Sequence, residues 1–351
     1  MTDTTDRLED SFGVVRRATL ADVARDLKIS PSTVSRALDP NRSTMVNKAT
    51  REKIIESAER LGYRPDIQAR SLMTGRTQTI VVIAADLGNR WLTPILHGVA
   101  SRVSVEGIVP IIAETNDDSR VLDDLIDHML SRRVDAMIVV GARRGDGPSI
   151  ERAARMVPMV VAARPLQDIS VPVVTHDDRR GGEMIGQHFA DLGHRVVAQL
   201  LGPGAVLNFP LRNEGFTSAI ESAGLRQLPA IDEALRPTYD EGARLMHRLL
   251  DVSSDVPTAV FAHNDPMAIG AMSVIRERGL RIPEDISIAG YNDMPLTSLI
   301  NPGLTTVRYP GWEVGHAAAE VALRLFAGEE AVESVSLNPV FKPRGSTAPL
   351  P

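Results

Sequence analysis

The sequence predicts an α/β protein: an N-terminal three-helix head containing a helix-turn-helix, a short hinge segment, and two tandem lobes, each built on a doubly wound parallel sheet. Three observations carry this expectation. Residues 18–38 fit two short helices and a tight turn into a stretch too small for another fold. From residue 79 short apolar runs alternate with helix-length stretches, and near residue 178 that alternation begins again.

In the first helix Leu20, Val23, Ala24 and Leu27 recur at the helical period and form one inner stripe, with Asp22, Arg25 and Asp26 facing away. The turn falls at Lys28 and Ile29. Ser30 suits an N-cap, and Pro31 suits the first helical position because its missing N–H has no partner there anyway. Val34, Ala37 and Leu38 form the second helix's inner face. Ser32, Thr33, Ser35 and Arg36 point outward, short hydroxyls plus one guanidinium, a set suited to phosphates and base edges. A plain helical hairpin is the alternative, but cap, turn, stripe and polar face together match a major-groove reader. After a turn-rich loop over 39–47, a third helix is expected over about 48–61, with Ile54, Ile55, Ala58 and Leu61 on one face and Gly62 as its stop.

The formal net charge of −6 divides unevenly along the 351 residues. Residues 1–15 carry −3, whereas residues 16–78 hold 13 Lys and Arg against 7 Asp and Glu, giving +6. The basic excess therefore lies on the head, and an acidic body behind it would keep DNA off the rest of the surface. There is no cysteine, so thiolate and disulfide chemistry are excluded. The acidic start is not a signal peptide, and no run approaches the length of a membrane helix. A cytoplasmic protein without membrane contact is expected. Residues 1–15 and 345–351 read as tails.

In the body, apolar runs at 80–84, 109–113, 136–140 and 159–162 suit strands covered on both faces. Past Asp177-Asp178, strands are expected over 196–201, 258–262 and 286–290, with helices over 184–192, 212–223, 241–250 and 267–279. Two such lobes imply a cleft between them. The paired acids, including Asp177-Asp178, read as helix starts and solvated turns. The eight histidines show no metal-ligand spacing, and no nucleophile elbow or phosphate loop occurs, so neither enzyme, metal nor cofactor is expected. His263 is the one histidine expected to line the cleft, in a core rather than a catalytic role.

Leu20 to Ala24, Ser32 to Leu38, Leu61-Gly62-Tyr63-Arg64-Pro65 and Thr74-Gly75-Arg76-Thr77 stand in this order. Arg212-Asn213-Glu214-Gly215-Phe216, Asn264-Asp265-Pro266-Met267, Ile282-Pro283-Glu284-Asp285 and Leu304-Thr305-Thr306-Val307 follow, and together they resemble the LacI/GalR family of transcriptional regulators. The resemblance spans about Thr19 to Arg344. It implies a helix-turn-helix domain over 16–64 and a hinge helix over 65–78. It further implies a periplasmic-binding-protein-like body over 79–344, split into one subdomain of 79–177 plus 309–338 and another of 178–308 plus 339–344. A homodimer would bind near-palindromic operator DNA, as a repressor whose affinity a small polar effector controls. Ser32 and Arg36 would read bases beside Pro31 and Ser35, while Thr19, Thr33 and Tyr63 would clamp phosphates or pack. In the hinge, Leu72 would wedge into the minor groove, Ala69 would let two hinge helices approach, and Arg70 and Arg76 would neutralise phosphates; a plain linker with Leu72 packed on the body is the alternative.

The resemblance also places Asn89, Trp91, Asn208, Arg212, Tyr239, Asn264, Asn292, Asp293 and Tyr309 around a sugar or sugar-like effector, with core packing a rival for Trp91. Two departures stand out: Ala163 and Asn292 occupy positions where the family carries carboxylates. Their loss weakens the case for a simple neutral sugar and admits an anionic ligand, assisted by Arg90 and Arg164. A solute receptor of the same two-lobed form, without DNA regulation, is the alternative function; it would need an export signal where the basic head stands.

Overall fold

The structure, a computed structural model, describes residues 18–39, 43–64, 76–252 and 255–350. It divides into a head unit, residues 1–77, and a body unit, residues 78–351. Residues 1–17 and the hinge segment 65–75, with Ala69, Arg70 and Leu72, lie outside the described residues.

The head holds α1 (Leu20–Leu27), α2 (Pro31–Leu38) and α3 (Lys48–Arg60). Val23, Ala24, Val34, Ala37, Ile54 and Ala58 make its buried centre, with Leu20, Leu27 and Leu38 packed on them. Lys28 turns the chain in the left-handed region (φ 55°), and the Ser30 Oγ accepts the Thr33 N–H at 3.2 Å, so α2 starts where its cap fixes it. One inference changes. Ile55 is exposed and Ser57 is buried in its place. Asp26, exposed as expected, also accepts from Ser57 Oγ at 2.6 Å and from Arg60, tying α1 to α3. Those two hydrogen bonds hold its carboxyl below the usual range.

The first lobe alternates β1 (Thr79–Ala84), α4 (Leu92–Ser104), β2 (Val109–Glu114), α5 (Ser119–Ser131), β3 (Ala136–Val140), α6 (Gly147–Ala154), β4 (Met159–Ala162) and β5 (Val173–His176). All its strand pairings are parallel, and a late segment, Val335–Leu337, joins beside β5. Alternation along β1 explains its unbroken apolar run. Ile80, Val82 and Ala84 enter one core with Ile95 and Val99 of α4, while Val81 and Ile83 enter another with Leu122 and Ile150. The strand at 109–114 departs from the expectation of cover on both faces: it is an edge strand, and Val109, Ile111 and Ile112 are exposed.

The second lobe contains α7 (Asp178–Asp191), β6 (Val196–Leu200), α8 (Asn208–Ser222), β7 (Arg226–Gln227), α9 (Tyr239–Val252), β8 (Ala259–Ala262), α10 (Asp265–Glu277) and β9 (Ser287–Ala289), with a parallel sheet ordered β7-β6-β8-β9. After β10 (Thr306–Arg308), the chain returns through α11 (Gly311–Phe326) to pack on α4, forms β11 (Val335–Leu337), and returns as β12 (Val340–Lys342), antiparallel to β10. Three chain crossings thus join the lobes.

The segment 345–350 is not a free tail. Ser346 is fully buried; its carbonyl accepts the Ile288 N–H at 2.8 Å and its Oγ donates to the Ile288 carbonyl at 2.6 Å. The physical reason is the edge of β9, whose backbone groups need partners on the side away from β8.

Candidate functional site

On the head, Pro31, Ser32 and Arg36 are exposed, and Thr33 and Ser35 are half-buried. Ser30 Oγ lies 2.9 Å from Ser32 Oγ and 2.8 Å from Thr33 Oγ1, a hydroxyl cluster at the start of α2. The Thr19 hydroxyl donates to Asp22 at 2.7 Å, and Asp22 also accepts the Thr19 N–H, so this side chain serves first as the cap of α1. Tyr63 packs against the head core. Arg76 is exposed.

In the body, a cleft lies between the lobes. Asn89, Trp91, Ala163 and Arg164 line it from the first lobe, and Asn208, Arg212, Asn264 and Asn292 from the second, with Tyr309 from a crossing segment. Val206, Phe209 and Pro237 complete the wall. Seven of the nine residues expected there are therefore present. Tyr239 and Asp293 do not line it. Tyr239 opens α9 half in water, and Asp293 is bound to Arg344 at 2.5 Å and accepts from Thr297 Oγ1 at 3.2 Å.

Glycines set the floor of this cleft. A Cβ on Gly215 would stand 1.9 Å from the Arg179 carbonyl oxygen, and one on Gly182 would stand 2.1 Å from that of Arg212. Only the absence of both lets α7 and α8 cross backbone to backbone, which carries Arg212 onto Asp178. Arg212 Nε donates to Asp178 at 2.7 Å, its Nη1 donates to the His263 carbonyl at 2.6 Å, and its Cζ lies 3.7 Å from the centre of the Tyr291 ring. Asn208 gives both amide hydrogens away, to Ala163 O at 3.2 Å and to Asp178. Burial pushes the Asp178 carboxyl up, but His176, 3.2 Å away, and Arg212 outweigh it and hold it below the ordinary value.

Asp178 and His176 were missed because their signals are local. Asp177-Asp178 reads as a helix start, and Asp177 does cap α7 by accepting the Arg180 N–H at 2.8 Å; nothing in the dipeptide marks the second acid as buried. His176 touches Tyr309 edge to face at 4.4 Å and meets the Tyr291 hydroxyl at 3.0 Å. Trp91 lines the cleft, meets Tyr309 edge to face at 5.7 Å and also packs on the lobe's core. His263 lies beneath the wall: burial and the nearby Arg212 push it down to about 3, and in that neutral form its Nε2 donates to Gln199 at 2.9 Å while its Nδ1 accepts the Gly202 N–H at 3.2 Å.

Asn264 caps α10, its Oδ1 accepting the Met267 N–H at 2.9 Å and its Nδ2 donating to Pro237 O at 2.9 Å. Next to it Asp265 is wholly buried. Burial pushes its carboxyl up to about 7 against the pull of the Thr306 hydroxyl and the Met294 N–H.

A helix-turn-helix head on a two-lobed body with a polar cleft defines a DNA-binding regulator with an effector-binding domain. The sequence family described as bacterial regulatory proteins, lacI family, matches residues 19–66, and the periplasmic binding protein-like domain matches residues 187–347. The chain is 30% identical over 336 residues to the HTH-type transcriptional repressor CytR of Escherichia coli (strain K12), covering 95% of this chain and 97% of that protein. It is likewise 30% identical over 323 residues to the HTH-type transcriptional repressor PurR of Haemophilus influenzae (strain PittEE), covering 91% and 94%. Among solved structures, the lac repressor dimer bound to operator and the anti-inducer ONPF superposes with a TM-score of 0.84 at 25% identity, covering 95% of this chain and 100% of that one. The CelR–cellobiose complex gives 0.71 at 28% identity, covering 94% and 100%.

The chain belongs to the lacI family and is a DNA-binding transcriptional regulator. No helix among the described residues is long and apolar enough to cross a membrane.

Proposed function

We propose that the protein is a cytoplasmic repressor that acts as a homodimer on near-palindromic operator DNA and whose grip is set by a small polar effector, a sugar or sugar-like metabolite, in the cleft. It performs no catalysis and needs no metal or cofactor. The observation that carries the reading is the two-sided lining of the cleft. Asn89 and Trp91 belong to one lobe, Asn208, Arg212 and Asn264 to the other, so a ligand touching both favours one lobe arrangement over another and shifts any equilibrium linked to it. The exposed Val109, Ile111 and Ile112 on an edge strand support self-association, since such a row is otherwise an aggregation hazard.

On the head, Ser32 and Arg36 would take base edges, with Pro31, Ser35 and Thr33 beside them. Thr19, Tyr63, Arg70 and Arg76 would serve the phosphates, with Leu72 and Ala69 at the bend. Gel shift on the DNA upstream of the chain's own reading frame, repeated with a metabolite panel, tests the reading. Salt-dependent specific binding that one metabolite changes is the expected result. Binding without sequence preference, or unaffected by every metabolite that raises the melting temperature, overturns it.

A further inference from the structure

We infer that the effector carries an acid group, carboxylate or phosphate, and that Arg164 holds it. The inference rests on the cleft being the effector site and deepens that reading.

The cleft lining contains no carboxylate and two guanidinium groups, Arg164 and Arg212. Their counter-ions differ. Arg212 faces Asp178, whose side chain is 0% exposed, so both charges of that pair lie in the same enclosed medium. Arg164, 8% exposed, is paired at 2.6 Å with Asp117, which is 32% exposed. Water therefore screens the Asp117 charge while the Arg164 charge stays in the cleft, and the local field remains positive.

The hydrogen-bond inventory points the same way. Arg164 spends both hydrogens of Nη1, on Asp117 Oδ1 at 2.6 Å and on the Gly141 carbonyl at 2.7 Å. Its Nε and Nη2 have no hydrogen bond among the described residues, which leaves three donors on a nearly enclosed cation without an acceptor. The Tyr309 hydroxyl is also buried without a partner. Side-chain acceptors are fewer than the hydroxyls of a sugar: the amide oxygens of Asn89, Asn208 and Asn292 remain, and the Asn264 Oδ1 already caps α10. A neutral sugar brings a donor with every hydroxyl and would leave some unpaired. An oxyanion brings acceptors only and matches the excess.

The backbone keeps Arg164 in place. Ala163 adopts φ 74° and the Arg164 N–H donates to the Ala162 carbonyl at 2.9 Å, a tight three-residue turn at the end of β4 that directs the next side chain to the cleft. Arg90, in contrast, is exposed and does not line the cleft.

The test pairs neutral monosaccharides and nucleosides with their carboxylate and phosphate counterparts, glucose with glucuronate and glucose 6-phosphate among them. Melting temperature and calorimetric affinity are read on the full-length protein, on Arg164→Gln and on Arg164→Lys. The expected result is that only acids bind tightly and that Arg164→Gln weakens them by about tenfold or more, with Arg164→Lys recovering part of the loss. The arms separate carboxylate from phosphate. If a neutral member binds as tightly as its acid counterpart, or the acid binds Arg164→Gln as it binds the parent, the inference is overturned while the cleft remains the effector site. If no member binds, both readings fall.

Discussion

Arg212 and Asp178 form an enclosed ion pair at the floor of the cleft, Nε to Oδ1 2.7 Å, the arginine 6% and the aspartate 0% exposed. Taking two charges out of water is costly, and here the cost is offset by the stacked Tyr291 ring, the His263 carbonyl and the Asn208 amide. Removing one partner strands the other: Asp178→Ala should destabilise the body by about 3–5 kcal/mol. The double variant Asp178→Leu with Arg212→Met should cost less than that single change. Urea unfolding of the full chain measures both, and a loss under about 1 kcal/mol for the single variant would contradict the enclosure.

Gly215→Ala should also destabilise, against helix propensity. Alanine gains about 1 kcal/mol over glycine in a helix interior, yet the new methyl would meet the Arg179 carbonyl at 1.9 Å and prise α8 from α7. A net loss of about 1–3 kcal/mol, typical of overpacking, is expected. Effector affinity should fall with it, because Arg212 and Asp178 separate. A raised melting temperature would refute the close crossing.

Asp265 makes stability depend on pH in a direction opposite to most carboxylates. Its folded value of about 7 lies above the ordinary 3.8, so the folded state holds a proton that the unfolded chain has released between those values. Its contribution is complete below about pH 4 and is lost as pH rises through about 7. Asp265→Asn keeps an uncharged side chain at every pH and should remove that loss. Denaturation at pH 5 and pH 8 checks it: the parent should lose more stability than the variant on going to pH 8, and equal changes would count against a protonated Asp265.

On the head, Arg36→Ala should cost about 1–3 kcal/mol at the preferred half-site and flatten discrimination there. Arg76→Ala should weaken binding to all sequences alike and reduce the salt slope by about 1. Gel shifts over a salt series on matched and scrambled sites separate the two, and parent-like behaviour of both variants would mean that another surface reads the DNA.

Ser30→Ala tests the cap that sets α2. Losing the acceptor for the Thr33 N–H should cost the head about 1 kcal/mol. Thermal unfolding followed by operator binding should show both decline, and no change in either would mean the turn, not the cap, fixes the helix.

Local signals were enough for much of the fold. The stripe of Leu20, Val23, Ala24 and Leu27, the Ser30 cap and the runs 80–84 and 136–140 each determine their element, because period and cap chemistry act over a few residues. The resemblance gathered Asn89, Trp91, Asn208, Arg212, Asn264, Asn292 and Tyr309, and the cleft lining contains them. Periodicity could not foresee β11 and β12, three-residue strands that form only because β5 and β10 offer them an edge.

The sequence alone determined the basic head, its inward stripes and capped turn, the repeated strand and helix alternation, and the chemistry available to a cleft. Tertiary structure decided which of two adjacent acids is buried, that Asp26 ties helices together, that the C-terminal segment closes a sheet edge, and that Arg164 faces the cleft with a water-screened counter-ion. Those outcomes depend on partners far apart in the chain, brought together by close crossings such as Gly182 against Gly215, and no short-range pattern encodes a burial that distant segments impose.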